Sequence, residues 1–369
     1  MQHTNSYDIA FNTLSQLDVF GTGKQQKQQA LLNVLRHLNA LHYEQCQEYR
    51  HIVDAFIHTE AIDLLEQVPF LAVRLFKLLR LASVPMDAVF KTLQSSGTTS
   101  QVTAKVVLDK PTSQRQSKVL VSILQQVIGK QRLPMLIIDA PSTVKGPEFN
   151  ARAAGIQGLA FFGRDHTYAL NDDMTPNWPV IDAFCARYAS QPVLIFGFTF
   201  MVWRYFIQAL EQDGRTLSLP EGILLHSGGW KQLENEKVSN TDFKKRLNTA
   251  AKVSRVHNFY GMAEQVGSIF VECSEGYLHA PSYADVIVRD QHSLQPCDFG
   301  QQGIIQVISS IPTSYPGHSI LTEDVGTIYG EDDCACGWRG KYFSVSGRLP
   351  KTEVRGCSDT HAQGVEHAR

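Results

Sequence analysis

The run Gln94-Ser95-Ser96-Gly97-Thr98-Thr99-Ser100 gathers hydroxyls around one glycine just ahead of an apolar stretch. Such a loop offers backbone N–H and side-chain O–H groups to phosphate oxygens, and Gly97 lets the backbone come close. It lacks the Gly-Lys-Ser/Thr of a Walker loop, and a plain turn is the ordinary occupant of such a cluster. Four further motifs follow it in order. His226-Ser227-Gly228-Gly229-Trp230 and Asn258-Phe259-Tyr260-Gly261-Met262-Ala263-Glu264 each succeed an apolar run, and Leu321-Thr322-Glu323-Asp324-Val325-Gly326 and Ser346-Gly347-Arg348 come later. Singly, Glu323 and Asp324 read as solvated turn residues, Arg348 as a surface ion pair and Glu264 as a helix cap. As an ordered set they point to one site.

Cysteines form a second group. Seven in a long chain that lacks a basic-then-apolar start make a disulfide framework improbable. Cys46 and Cys185 read as inert buried thiols. Cys273, His279, Cys334 and Cys336 could form a three-cysteine, one-histidine zinc site if their two segments pack together, with Cys297 as a spare; reduced, metal-free thiols are the alternative. Cys357 lies just past Arg348, beside Arg355 and Gly356. A cation nearby favours thiolate, and the chain between Arg348 and Cys357 reaches roughly 30 Å when extended.

These residues need a scaffold. Leucines at three- and four-residue spacings (Leu31, Leu35, Leu38) predict helices in the first part, and Phe70–Leu81 repeats that spacing. From about Gln94, β-rich runs at Lys105–Leu108, Met135–Asp139, Leu159–Phe162, Val193–Phe196, Ile223–His226 and Val256–Tyr260 alternate with amphipathic stretches such as Gln114–Ile128, Pro179–Tyr188 and Thr241–Lys252. That alternation predicts an α/β domain with a mainly parallel sheet. After Ser268 shorter strands predict a smaller β-rich subdomain. We expect one unit over 1–350, divided as a helical segment (1–90), an α/β core (91–267) and the β-rich part (268–350), with a tail at 351–369. A net charge of −2 leaves no basic surplus for nucleic acid. No apolar stretch approaches the roughly 20 residues of a membrane span, so a cytoplasmic protein is expected.

In order and spacing the five motifs resemble the signatures of the adenylate-forming superfamily, from about Ser95 to Lys351. A narrower resemblance is to the acyl-protein synthetases of the bacterial bioluminescence fatty-acid reductase complex. It rests on the short chain, on Phe196-Gly197-Phe198-Thr199-Phe200-Met201, on His226 to Lys231, on Glu48-Tyr49-Arg50, and on Cys357 near the C-terminus. Phenylacetate-CoA ligases look like more distant relatives, with a similar cysteine and histidine arrangement. The resemblance implies ATP and Mg²⁺ as cofactors and a large N-terminal adenylate-forming domain. Ser95, Ser96, Gly97, Thr98 and Thr99 would cradle the β- and γ-phosphates. Gly228, Gly229 and Gly261 would border adenine, and Tyr260 would stack on it. Glu264 would hold Mg²⁺, Asp324 the ribose hydroxyls, and Arg348 ribose or phosphate. Cys357 would accept the acyl group of a fatty acid and pass it to an acyl-reductase partner in a hetero-oligomer.

Two departures stand out. No lysine follows the Ser95–Ser100 run until Lys105, and the C-terminal domain of relatives, with its adenylation lysine, is absent or reduced to a tail. A ligase of the phenylacetate-CoA kind, using CoA or a carrier thiol, is the alternative reading. A degenerate adenylate-binding subunit is the non-enzymatic one.

Overall fold

The computed structural model describes residues 2–56, 61–94, 103–145 and 151–349. Its strands are β1 (Leu71–Ala72), β2 (Lys91–Gln94), β3 (Lys105–Leu108), β4 (Leu133–Ile137), β5 (Gly163–Tyr168), β6 (Val193–Phe198) and β7 (Gly222–Ser227), then β8 (Arg255–Tyr260), β9 (Phe270–Glu272), β10 (Leu278–His279), β11 (Ala284–Arg289), β12 (Gln302–Ser309), β13 (Ser319–Glu331) and β14 (Lys341–Arg348). All but β2 and β3 join one twelve-stranded sheet in the order β11-β12-β13-β14-β10-β9-β8-β7-β6-β4-β5, with β1 on β13. The strands from β5 to β8 pair in parallel. From β9 onward the pairing turns antiparallel, apart from β1, which runs parallel to β13. The β-rich half therefore continues the parallel sheet edge to edge.

Parallel strands are buried on both faces and read as apolar runs. Met135, Ile137, Leu194, Phe196, Ile223 and Leu225 face one core, with Val119, Ile123 and Leu124 of the helix Lys110–Ile128 and with Leu31, Leu35 and Leu38. Leu136, Ile138, Val193, Ile195 and Leu224 face the other core, with residues of the helices Trp178–Arg187 and Asn240–Ala251. Local chemistry sets the helix starts. Asp109 accepts from Thr112 N at 2.9 Å and Ser239 from Asp242 N at 3.0 Å, which satisfies orphan donors of the first turns.

Two expected elements differ. Phe70–Leu81 is no continuous helix: Leu71 and Ala72 pair with Ile320 and Leu321, and helix survives only at Leu75–Leu78. Leu159–Phe162 is not a strand. The helix Ala151–Leu159 runs into a helical turn there, and the strand begins at Gly163.

The N-terminal helices Gln2–Leu14 and Lys24–Gln45 dock on the far end of the chain. Tyr7 donates to the Ser310 carbonyl at 2.8 Å. Lys27, fully buried, sits 3.2 Å from Asp285, which Lys341 approaches from the other side at 3.0 Å. Burial would raise the Asp285 pKa, but the two ammonium groups hold it below the usual carboxylate range.

Candidate active site and metal centre

Strands β7 and β8 lie side by side with Ser227 opposite Phe259, so the chain leaves both at one edge of the sheet. Ligands of open α/β sheets collect at such carboxyl ends. Gly228, just past β7, has φ +84°, and a Cβ there would stand 3.2 Å from the Phe198 ring. Only glycine suits that turn. Gly229 has open space beside it, whereas a Cβ on Gly261 would stand 3.0 Å from Ile269 Cγ2. Behind the turn, buried His226 places Nδ1 2.9 Å from Thr199 Oγ1 and its ring 4.8 Å from that of Phe243. Burial lowers its pKa to about 4, so the imidazole is neutral.

Tyr260, Asp324 and Arg348 meet. The Tyr260 hydroxyl donates to Asp324 Oδ2 at 2.6 Å, and Arg348 Nε donates to Oδ1 at 3.1 Å. Register brings them there: Asp324 faces Arg348 across β13 and β14. Thr322 fixes the carboxylate's backbone by accepting from Asp324 N at 3.0 Å while donating to Ile305 O at 2.7 Å. Burial, together with the Asp324 charge, raises the Tyr260 pKa far above its usual value, so the phenol stays a donor.

Glu264 sits in the short turn Ala263–Gln265 and is 6% exposed. Burial raises its pKa against the opposing charges of Lys77 and Arg348. Among the described residues no cation pairs with it directly. A buried carboxylate without a paired cation suits a hard divalent ion, which takes oxygen ligands. Gln265 pins the turn, its Nε2 donating to Gly317 O at 2.9 Å and to Val307 O at 3.1 Å. Sequence reading passed over Gln265, since nothing but its distant partners reveals that role.

Ser95, Ser96, Gly97, Thr98, Thr99 and Cys357 lie outside the described residues.

The second group converges. The ligating atoms of Cys273, His279, Cys334 and Cys336 all lie within 4.8 Å of one another. They come from the end of β9, from β10 and from the turn ahead of β14. His279 Nδ1 faces the Arg339 carbonyl at 3.4 Å, which favours the proton on Nδ1 and would leave Nε2, 3.4 Å from Cys336 Sγ, free to hold a metal. Trp338 N donates to Cys336 Sγ at 3.3 Å. Three soft thiols and one imidazole gathered this closely fit zinc. Trp338 also stacks on Phe20 at 4.1 Å, Arg339 N donates to Phe20 O at 2.6 Å, and Asp332 accepts from Lys24 N at 2.7 Å. The turn thus grips the start of the second helix. Cys297 stands apart from this cluster.

A family model described as acyl-protein synthetase, LuxE, matches residues 11–365. The chain belongs to this family. Its members are acyl-activating ligases, and so is this chain. The long-chain-fatty-acid–luciferin-component ligase of Vibrio harveyi is 20% identical over 356 residues, covering 92% of this chain and 89% of that protein. The ligase of the same name from Aliivibrio fischeri is 23% identical over 147 residues, covering 39% of this chain and 38% of that protein. Among solved structures, an open conformation of a 2-hydroxyisobutyryl-CoA ligase superposes with TM-score 0.67 at 16% identity, over 90% of this chain and 77% of that one. The fold is that of the adenylate-forming ligases. No helix among the described residues is long and apolar enough to cross a membrane.

Proposed function

We propose that this chain activates a long-chain fatty acid with ATP, takes the acyl group on Cys357 and hands it to a partner acyl reductase. The meeting of Tyr260, Asp324 and Arg348 beside the Gly228 turn, with Glu264 in the same wall, carries this reading. A paired ribose diol is matched by a fixed carboxylate, and a flat base by a glycine turn bordered by an aromatic ring. In the first step a carboxylate oxygen attacks the α-phosphorus of ATP, the bond to the β-phosphate oxygen breaks, and pyrophosphate leaves. Glu264 would hold Mg²⁺, which would supply charge for the phosphates. The Ser95–Thr99 hydroxyls and amides would add hydrogen bonds. In the second step the Cys357 thiolate attacks the acyl carbon and AMP departs, leaving a thioester.

Residues 1–350 act in this reading as the adenylate-forming unit, and 351–369 as the tail that bears the acceptor. The cluster of Cys273, His279, Cys334 and Cys336 we read as a structural zinc centre, away from the acyl chemistry.

Covalent labelling tests the proposal. Wild-type protein given radioactive fatty acid and ATP without CoA should carry label that neutral hydroxylamine releases. Cys357→Ser should lose that label yet keep acid-dependent exchange of pyrophosphate into ATP, because adenylation precedes the thiol. Equally labile label on Cys357→Ser would move the acceptor to another cysteine. Efficient CoA-thioester formation without protein label would favour a CoA ligase.

A further inference from the structure

We propose that Lys77 is a catalytic residue of the adenylation step, contacting the phosphates of ATP and stabilising the departing pyrophosphate. This rests on the nucleotide site proposed above.

The phosphates of ATP call for positive charge, and the hydroxyl-rich run provides none. From Ser95 to Ala104 there is no lysine or arginine. Arg348 is bound to Asp324 at the ribose end. Something else must face the phosphates.

The segment after β1 is placed to do so. Leu71 and Ala72 pair in parallel with Ile320 and Leu321, and Val73 N donates to Leu321 O at 2.9 Å. The chain thus runs beside Thr322, Glu323 and Asp324. Arg74 forms an ion pair with Glu323, which fixes the approach and occupies that cation. In the short helix Leu75–Leu78, buried Phe76 meets Tyr315 edge-on, with centroids 6.2 Å apart. Tyr315 O accepts from Gly317 N at 2.8 Å, and Gly317 O holds Gln265, the neighbour of Glu264. The same helix packs on β3, and β3 packs on the Ala263–Gln265 turn.

With Phe76 turned inward, Lys77 is exposed at the rim. Of the cations around Glu264 it acts most strongly on that carboxylate, ahead of Arg348. Among the described residues no ion pair engages it. Arg74 and Arg348 are both held by carboxylates, whereas among the described residues no ion pair draws Lys77 away from a ligand. When the bond between the α-phosphorus and the bridging oxygen breaks, its electron pair stays on the pyrophosphate. An ammonium beside that oxygen stabilises the new charge by hydrogen bonding, with no net proton transfer.

The two half-reactions separate this role from a structural one. Lys77→Ala should lower acid-dependent pyrophosphate exchange by about 100-fold, in the range found for removing one transition-state donor. Lys77→Arg should restore most of the rate. Transfer of acyl groups from synthetic acyl-AMP to the protein should stay within about twofold of wild type in both, since pyrophosphate has already left. The inference is overturned if Lys77→Ala keeps exchange within about threefold, or if both half-reactions fall together. Absence of exchange in the wild type would overturn the nucleotide site itself.

Discussion

Asp324 has both carboxylate oxygens engaged, one by a phenol that burial keeps protonated and one by a guanidinium. A side chain so held is fixed in place, and in the proposed nucleotide site little reorganisation would remain on binding. Tyr260→Phe removes one tether and leaves the ring. A hydrogen bond to a charged group contributes about 1.5 kcal/mol or more, so the KM for ATP in pyrophosphate exchange should rise ~10-fold with kcat nearly constant. An unchanged KM would mean that Arg348 alone orients the carboxylate. The order of their motifs made Tyr260, Asp324 and Arg348 legible as candidates for one site, and the structure brings the three side chains together. Gln265 and Lys77 were not legible. Gln265 acts through carbonyls of β12 and the 317 turn, the phosphate contact proposed for Lys77 depends on motifs far along the chain, and neither residue stands in a local pattern.

At the scale of elements, the buried parallel strands announced themselves as apolar runs between amphipathic helices. One departure has a tertiary cause. Phe70–Leu81 carries apolar residues at spacings that suit a helix, but Leu71 and Ala72 are drawn into pairing with β13, and tertiary contact overrides local preference. The cysteine cluster was readable as residue types; that its members meet depended on β9, β10 and the turn before β14 coming together. If zinc binds there, it staples the two strands that flank the joint between Tyr260 and Arg348: β9 pairs with β8 and the bound turn leads into β14. Elemental analysis should give about one zinc per chain. Cys334→Ser should lose it, and the melting temperature should drop by several degrees, because binding energy at such sites is folding energy. A metal-free wild type of equal stability would remove zinc from this account.

The whole molecule is held by joints between its helical start and its β-rich half, and these set its response to acid. His42 and His318 stack at 5.0 Å in one such joint, both buried, beside Ser83, Tyr49 and the Pro312 carbonyl. Burial lowers the His42 pKa to about 3 and that of His318 well below its usual value. The unfolded chain therefore binds more protons than the folded one below pH about 6.5. The stability these histidines allow is complete above that value and is lost as pH falls toward 3, by up to about 1.4 kcal/mol per pH unit for each. His42→Gln should flatten the pH dependence of the urea unfolding free energy between pH 6 and 4 by that amount. An unaltered slope would place the acid sensitivity elsewhere.

The same joints bear on birth as well as on stability. Tyr7 finds its acceptor at Ser310, 303 residues later, Lys27 its anion at Asp285, and Phe20 its stacking partner at Trp338. A ribosome adding 5–20 residues per second needs roughly 15–60 s to cover such a separation. For that interval the leucine faces of the first helices lack the part of their core that the β-rich half supplies, Tyr283, Ile287 and Ile308 among it. They remain sticky, and a lysine destined for burial stays in water. The contacts that fix the first two helices on the β-rich half can form only when the last strands emerge.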